Sequence, residues 1–182
     1  TPLQAGLMIL PLPLGALAAG PAAGWLTGRF GATRIMWMGM AIAGVALGLF
    51  IASPAGQHVA HAILLAIASG GMGAAMTSAS AAIMGAAPPD KTGMAASVEE
   101  VSFELGAAIG VAAIGGALSG LYSSAMGGVA GAPAAARDSL DGALRAAEAL
   151  SPDVAAGLLS QARLAFDTSF NAVIAMAAGL VL

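Results

Sequence analysis

The chain has 182 residues, 59% of them hydrophobic and only 8% charged, with a net charge of −3 and a mean hydropathy of +0.91. A soluble domain carries roughly 25% charged residues, so this chain lacks the means to clothe a water-facing surface. The composition predicts an all-α, polytopic transmembrane helix bundle whose exterior faces the lipid bilayer. The acidic balance and the lack of a basic patch argue against nucleic acid as a partner, and the absence of Cys removes disulfides, thiolate metal sites and Cys nucleophiles.

A spanning helix needs about 20 mostly apolar residues. Four runs meet that requirement, roughly residues 3–26, 33–53, 60–87 and 95–124. A fifth opens near Thr168 and is truncated at Leu182. The chain enters an apolar run within a few residues of Thr1 and stops inside another, which reads as an internal piece cut at both ends. The resulting division is 1–125 for four membrane helices, 126–167 for a loop, and 168–182 for the start of the last helix.

The connection Thr27–Thr33 carries Arg29, with Arg34 just beyond; Ala86–Gly93 carries Asp90 and Lys91; Ser53–Val59 has no Lys or Arg. The positive-inside tendency puts the first and third connections in the cytoplasm and the second outside. Alternation then places 126–167 outside, although its Arg137, Arg145 and Arg163 weigh against that placement when read alone. Trp25, Trp37 and Tyr122, near span ends, read as interface anchors.

Segment 126–167 has soluble-helix character. Gly127, Gly128, Gly131 and Pro133 break the preceding helix. Leu140 and Leu144 then stand opposite Arg137, Asp141 and Glu148, an amphipathic pattern. Ser151-Pro152-Asp153 starts a new helix, with Ser as N-cap and Pro at the first helical position. Two short helices lying at the membrane surface are expected, because about forty residues are too few to build a core.

Within the fourth run, Glu99, Glu100 and Glu104 occupy a stretch with no Lys or Arg between Thr92 and Ala136. At about 1.5 Å per residue they lie about 8–17 Å past the preceding loop, inside a ~30 Å hydrocarbon slab. An acid at that depth costs at least a few kcal/mol unless it faces water or a partner, or takes up a proton. Glu100 and Glu104, at i and i+4, share one helix face, and Glu99 points about 100° away. Two carboxylates on one face can carry protons, hold a lipophilic cation, or exchange one for the other. The blander reading places the three glutamates at the interface or pairs them with Arg residues elsewhere.

His58 and His61 have a spacing that could share a metal, but no third ligand lies nearby and an outer-surface pair is expected. Gly106/Gly110 and Gly116/Gly120 form small-xxx-small faces suited to close helix packing. Met72, Met76 and Met84 could line a cavity, although core packing is the commoner use of such a stripe. The chain has no complete metal set, no phosphate loop and no paired nucleophile and base, so neither a catalytic residue nor a cofactor is expected.

Two stretches carry a family resemblance. Gly24, Leu26, Arg29, Gly31 and Arg34 match the conserved loop Gly-x-Leu-x-Asp-Arg-x-Gly-x-(Arg/Lys)-(Arg/Lys) of the major facilitator superfamily. Gly28 stands where that motif has Asp, and Thr33 replaces one basic residue. In the family the loop latches neighbouring helices, so the missing Asp marks a degenerate copy, as found in the C-terminal half. Ala95-Ala96-Ser97-Val98-Glu99-Glu100, followed by Glu104-Leu105-Gly106 and Gly110-Val111-Ala112, resembles the penultimate helix of fourteen-helix drug:proton antiporters. The subgroup it looks most like expels quaternary ammonium compounds and methyl viologen. The likeness extends to Thr1–Gly6, Leu10–Gly15 and Thr168–Asn171.

The resemblance implies helices 10 to 14 of a multi-pass protein of the cell (inner) membrane, completed by N-terminal helices absent from this sequence. It implies small hydrophobic cations as substrates, protons as the coupling ion, and Glu100 and Glu104 as cation and proton sites with Glu99 beside them. Some relatives carry an acid where this chain has Ala16, which puts a full set of acidic sites in doubt. The alternative is a non-transporting membrane protein whose acids serve helix packing or assembly.

Overall fold

A computed structural model describes residues 2–54, 56–129 and 131–181. These are α-helical with short connections: α1 (Pro2–Ile9), α2 (Pro11–Phe30), α3 (Ala32–Ala52), α4 (His58–Ala86), a 3₁₀ turn at Pro89–Lys91, α5 (Thr92–Gly127), α6 (Ala134–Asp138), α7 (Leu140–Ala147) and α8 (Pro152–Val181). Five stretches are long and apolar enough to cross a membrane, as expected. Their ends differ from the expectation in ways that follow from local chemistry.

The first run is two helices because Pro11 and Pro13 lack N–H groups, so the carbonyls of Leu7 and Ile9 lose their i+4 donors. Leu10 nevertheless keeps helical angles (φ −52°, ψ −33°), so the path continues into α2. The expected 27–33 connection shrinks to a single residue. The exposed side chains of Arg29 and Thr33 end neither helix, and only Gly31 leaves helical space, at φ 88° and ψ 145°. A side chain there would be strained, since that region is sterically open only to glycine. The Gly31 N–H closes α2 on the carbonyl of Thr27 at 2.9 Å, and its own carbonyl receives the N–H of Ile35 at 3.4 Å, opening α3.

The chain divides into two compact units, Thr1–Leu105 with Ile174–Leu182, and Gly106–Val173; α5 and α8 contribute to both. In the first unit α4 packs against both α2 and α3, which touch each other much less. The contacts are glycine and alanine. A Cβ on Gly15 would strike the carbonyl of Ala66 and Oγ of Ser69, and one on Gly71 would strike the carbonyl of Gly39. Ala16 lies against Gly73, where an added Cβ would come within 3.2 Å of the Ala16 Cα. Small residues allow the close backbone approach that gives membrane helices their dispersion energy, since the hydrophobic effect is absent between helices in lipid. The glycines singled out by spacing behave otherwise: a Cβ on Gly106, Gly110, Gly116 or Gly120 would meet no atom within 4 Å. Met72 and Met76 lie on the exposed side of α4 rather than in its packed seam.

The second unit contains a small core where none was expected. Tyr122 and Met126, from the end of α5, join Ala132, Ala136, Ala143 and Leu158. Tyr122 is only 2% exposed and its hydroxyl donates to the carbonyl of Ala136 at 3.0 Å, so it is a core residue and not an interface anchor. Trp25 and Trp37, by contrast, are 65% and 61% exposed. The expected first amphipathic helix is split at Ser139, whose extended backbone (φ −161°) and Oγ cap α7 by accepting the Gly142 N–H at 3.0 Å. The second starts at Pro152, its first turn closed by the Ala155 N–H on the Ser151 carbonyl at 2.9 Å. It does not stop before Thr168: α8 runs 30 residues without a break. No proline interrupts it after Pro152, and the Thr168 and Ser169 hydroxyls bond to the carbonyls of Leu164 and Ala165 within the helix.

Candidate functional site

The acidic face is built by α5, a helix of 36 residues. It begins immediately after the Pro89–Lys91 turn, where the Lys91 N–H bonds to the Pro88 carbonyl at 2.9 Å and the Thr92 hydroxyl caps the Pro89 carbonyl at 3.3 Å. With the start fixed at Thr92, helical geometry sets the depth and direction of each acid. Glu100 and Glu104 are both exposed on neighbouring positions of one face, while Glu99 is half-buried and turned away. None of the three pairs with a cation among the described residues, where the one ion pair is Asp141–Arg145. No residue in the most apolar window of this span is buried.

The neighbouring hydroxyls do not complicate that face. Ser97 donates to the Gly93 carbonyl at 3.1 Å and Ser102 to the Val98 carbonyl at 2.7 Å, so each is satisfied within its own helix. That leaves the carboxylates of Glu100 and Glu104 as the open polar groups of that face, with the half-buried ring of Phe103 between them in sequence. Such a face can hold a desolvated cation or take up protons, one at the expense of the other.

The glycine-containing loop lies at the α2–α3 turn. Gly24, Leu26 and Arg29 fall on the last turns of α2, Gly31 is the turn itself, and Arg34 opens α3. Without an acid at Gly28, the Arg29 guanidinium lies over the Trp25 ring at 5.7 Å and the Phe30 ring at 5.9 Å. An exposed cation–π contact of this kind is worth about 0.5–1 kcal/mol, a weak hold for a latch. A stronger one was not foreseen. Thr27 Oγ1 and Ser78 Oγ stand 2.7 Å apart between α2 and α4, and Ser78 is 0% exposed. Neither residue announces itself, because a hydroxyl in an apolar run reads as a tolerated small residue until its partner is placed.

His58 and His61 border a cavity of about 760 Å³ where α1, the start of α2 and the end of α3 meet the start of α4, lined also by Leu7, Met8, Leu14 and Phe50. The His61 ring packs on Phe50 at 4.8 Å between centroids, tilted by 52°. Among the described residues no three His, Cys, Asp or Glu side chains stand close enough to hold a metal ion. Ala16, where some relatives are expected to carry an acid, occupies the α2–α4 seam opposite Gly73.

Comparison with known proteins agrees with this architecture. The family model described as Major Facilitator Superfamily matches residues 1–136. The chain is similar to the methyl viologen resistance protein SmvA of Salmonella typhimurium, at 30% identity over 187 residues, covering 100% of this chain and 38% of that protein. It is similar to the multidrug efflux pump LfrA of Mycolicibacterium smegmatis, at 32% identity over 189 residues, covering 100% of this chain and 37% of the pump. A multidrug resistance protein B homolog of Mycobacterium tuberculosis is 33% identical over 115 residues, covering 62% of this chain and 21% of that protein. The chain thus spans less than two-fifths of the length of these relatives. No solved structure matches it. With the family model covering most of its length and five apolar helices able to cross a bilayer, this multi-pass chain belongs to the Major Facilitator Superfamily.

Proposed function

We propose that this chain is the C-terminal part of a proton-coupled multidrug antiporter of the cell membrane, which expels small hydrophobic cations such as quaternary ammonium compounds. The observation that carries the reading is the pair Glu100 and Glu104, exposed on one face of an apolar helix with no cation beside them among the described residues. Carboxylates at membrane depth are functional by default, because leaving them unpaired costs several kcal/mol. The relatives support the substrate class: one is named for methyl viologen resistance, another as a multidrug efflux pump.

In this mechanism the ionised pair binds the cation facing the cytoplasm. Rocking of the two helix bundles exposes it to the outside. Protons arriving there neutralise the carboxylates, the cation loses its counter-charge and leaves, and the protonated face returns. Glu99 is turned away from the pair and plays a supporting part in the segment. Orientation follows from the basic α2–α3 turn and from Lys91, both placed in the cytoplasm, with residues 126–167 outside. Nothing is made or broken covalently, so the protein needs no enzyme chemistry and no cofactor beyond protons. The non-transporting alternative has no observation of its own in its favour.

The test uses the full-length protein in inverted vesicles with an acidified lumen. A quaternary ammonium dye should release lumenal protons in the wild type and not in Glu100→Gln/Glu104→Gln. Proton movement that persists in the double variant would move the coupling off α5. No movement in either protein would remove this substrate class.

A further inference from the structure

The α2–α4 seam has two chemically different ends. At one end Gly15 and Ala16 of α2 meet Ala66, Ser69, Gly70 and Gly73 of α4. Ser69 spends its hydroxyl on the Ala66 carbonyl of its own helix, at 3.0 Å. These contacts hold the helices close but carry no directional bond, so they resist separation better than sliding or rotation. At the other end stands the hydroxyl pair Thr27–Ser78, joining residues 51 apart in sequence. Ser78 is fully buried, so its hydroxyl has no water to turn to.

Thr27 does a second job with a different atom. Its carbonyl accepts the Gly31 N–H that closes α2, and Gly31 in turn accepts the first bond of α3. The side chain of Thr27 therefore ties α4 to the same turn that its backbone uses to launch α3. Since α3 also rests on α4 through Gly39 and Gly71, one residue connects all three helices.

We propose that the Thr27–Ser78 hydroxyl pair is the register lock of α2, α3 and α4. It acts through helix position and touches no substrate, so its residues are positioning residues. The proposal rests on the transport reading above. A bundle that rocks as a rigid body needs its helices fixed along their axes, and glycine–alanine seams alone leave that freedom open. Breaking the lock should slow turnover while leaving affinity unchanged, because the carboxylates on α5 are untouched.

The experiment is a double-mutant cycle in the full-length transporter. Thr27→Val and Ser78→Ala remove the bond without changing shape much; Thr27→Ser keeps a hydroxyl in place. Dye efflux is measured against dye concentration at matched protein levels, and thermal melting is followed in detergent. Each bond-breaking variant should lower maximal efflux about three- to tenfold, the loss expected of one interhelical hydrogen bond. The dye KM should stay within about twofold. The double variant should be no worse than either single, and Thr27→Ser should keep the rate near that of the wild type. Additive losses, a KM that rises while the rate holds, or no loss at all would overturn the lock. If the wild type itself moves no dye, the transport reading fails and melting alone decides. Non-additive destabilisation by the two bond-breaking variants would then keep the lock, and additive destabilisation would end it.

Discussion

The seam of α2, α3 and α4 and the acidic stretch of α5 are drawn from the same apolar alphabet, yet they dispose of their contacts in opposite ways. In the seam Gly and Ala let the backbones approach closely, and polar atoms are spent inside the protein, as at Thr27–Ser78. On α5 the apolar window has no buried residue and the two acids are left open. On the proposed reading, the seam uses up its contacts while α5 keeps its polar groups in reserve for a ligand. A substitution in the first should therefore cost the protein itself, while one in the second should cost only its work.

The largest break in that comparison should come from Gly71→Leu. Its side chain has no space before the Gly39 carbonyl and Ala43, and forced overpacking costs about 3 kcal/mol or more when backbones must part. The full-length protein should disappear from the membrane fraction on immunoblots. Gly116→Ala sharpens the contrast: its Cβ meets no atom within 4 Å, so protein level and melting should shift by no more than about 0.5 kcal/mol.

Next in size is Glu100→Gln/Glu104→Gln, which should leave expression and melting intact while cation efflux falls at least about thirtyfold, the penalty for removing a desolvated charge partner. Efflux assays at matched protein level check this, and a double variant that fails to accumulate would place the acids among the packing residues instead. Smaller again is Tyr122→Phe, which strips the Ala136 carbonyl of its buried donor. Melting should fall by on the order of 1–2 kcal/mol with dye KM unchanged. The smallest effect belongs to Asp141→Ala. Its ion pair with Arg145 spans 2.9 Å, but both side chains are more than two-thirds exposed, and such pairs contribute about 0–0.5 kcal/mol. Melting in low and high salt should coincide with wild type.

The membrane helices were legible because a bilayer imposes one simple rule, an apolar run of sufficient length, and the sequence obeys it five times. Glu100 and Glu104 were legible for the same reason: spacing alone puts i and i+4 on one face, and an acid in an apolar run stands out. The misreadings share a different cause. Gly106, Gly110, Gly116 and Gly120 have the spacing of a packing face, yet Gly15, Gly39, Gly71 and Gly73 are among those whose added Cβ would crowd a neighbouring helix. Small residues show that a helix can be approached closely, and they say nothing of which partner arrives. Tyr122 looked like an anchor because aromatic residues at span ends usually are; its burial depends on Ala136, fourteen residues on, returning past it. Composition changes at Thr168, but helix ends follow hydrogen bonds, and α8 runs unbroken through that point.

The Gly31 turn has a consequence for how the protein is made. With one residue between α2 and α3, read as spans crossing in opposite senses, neither can settle in the bilayer and wait for the other. The pair must enter the membrane together as a hairpin, and a tag or cleavage site placed between them would interrupt biogenesis before it touched transport.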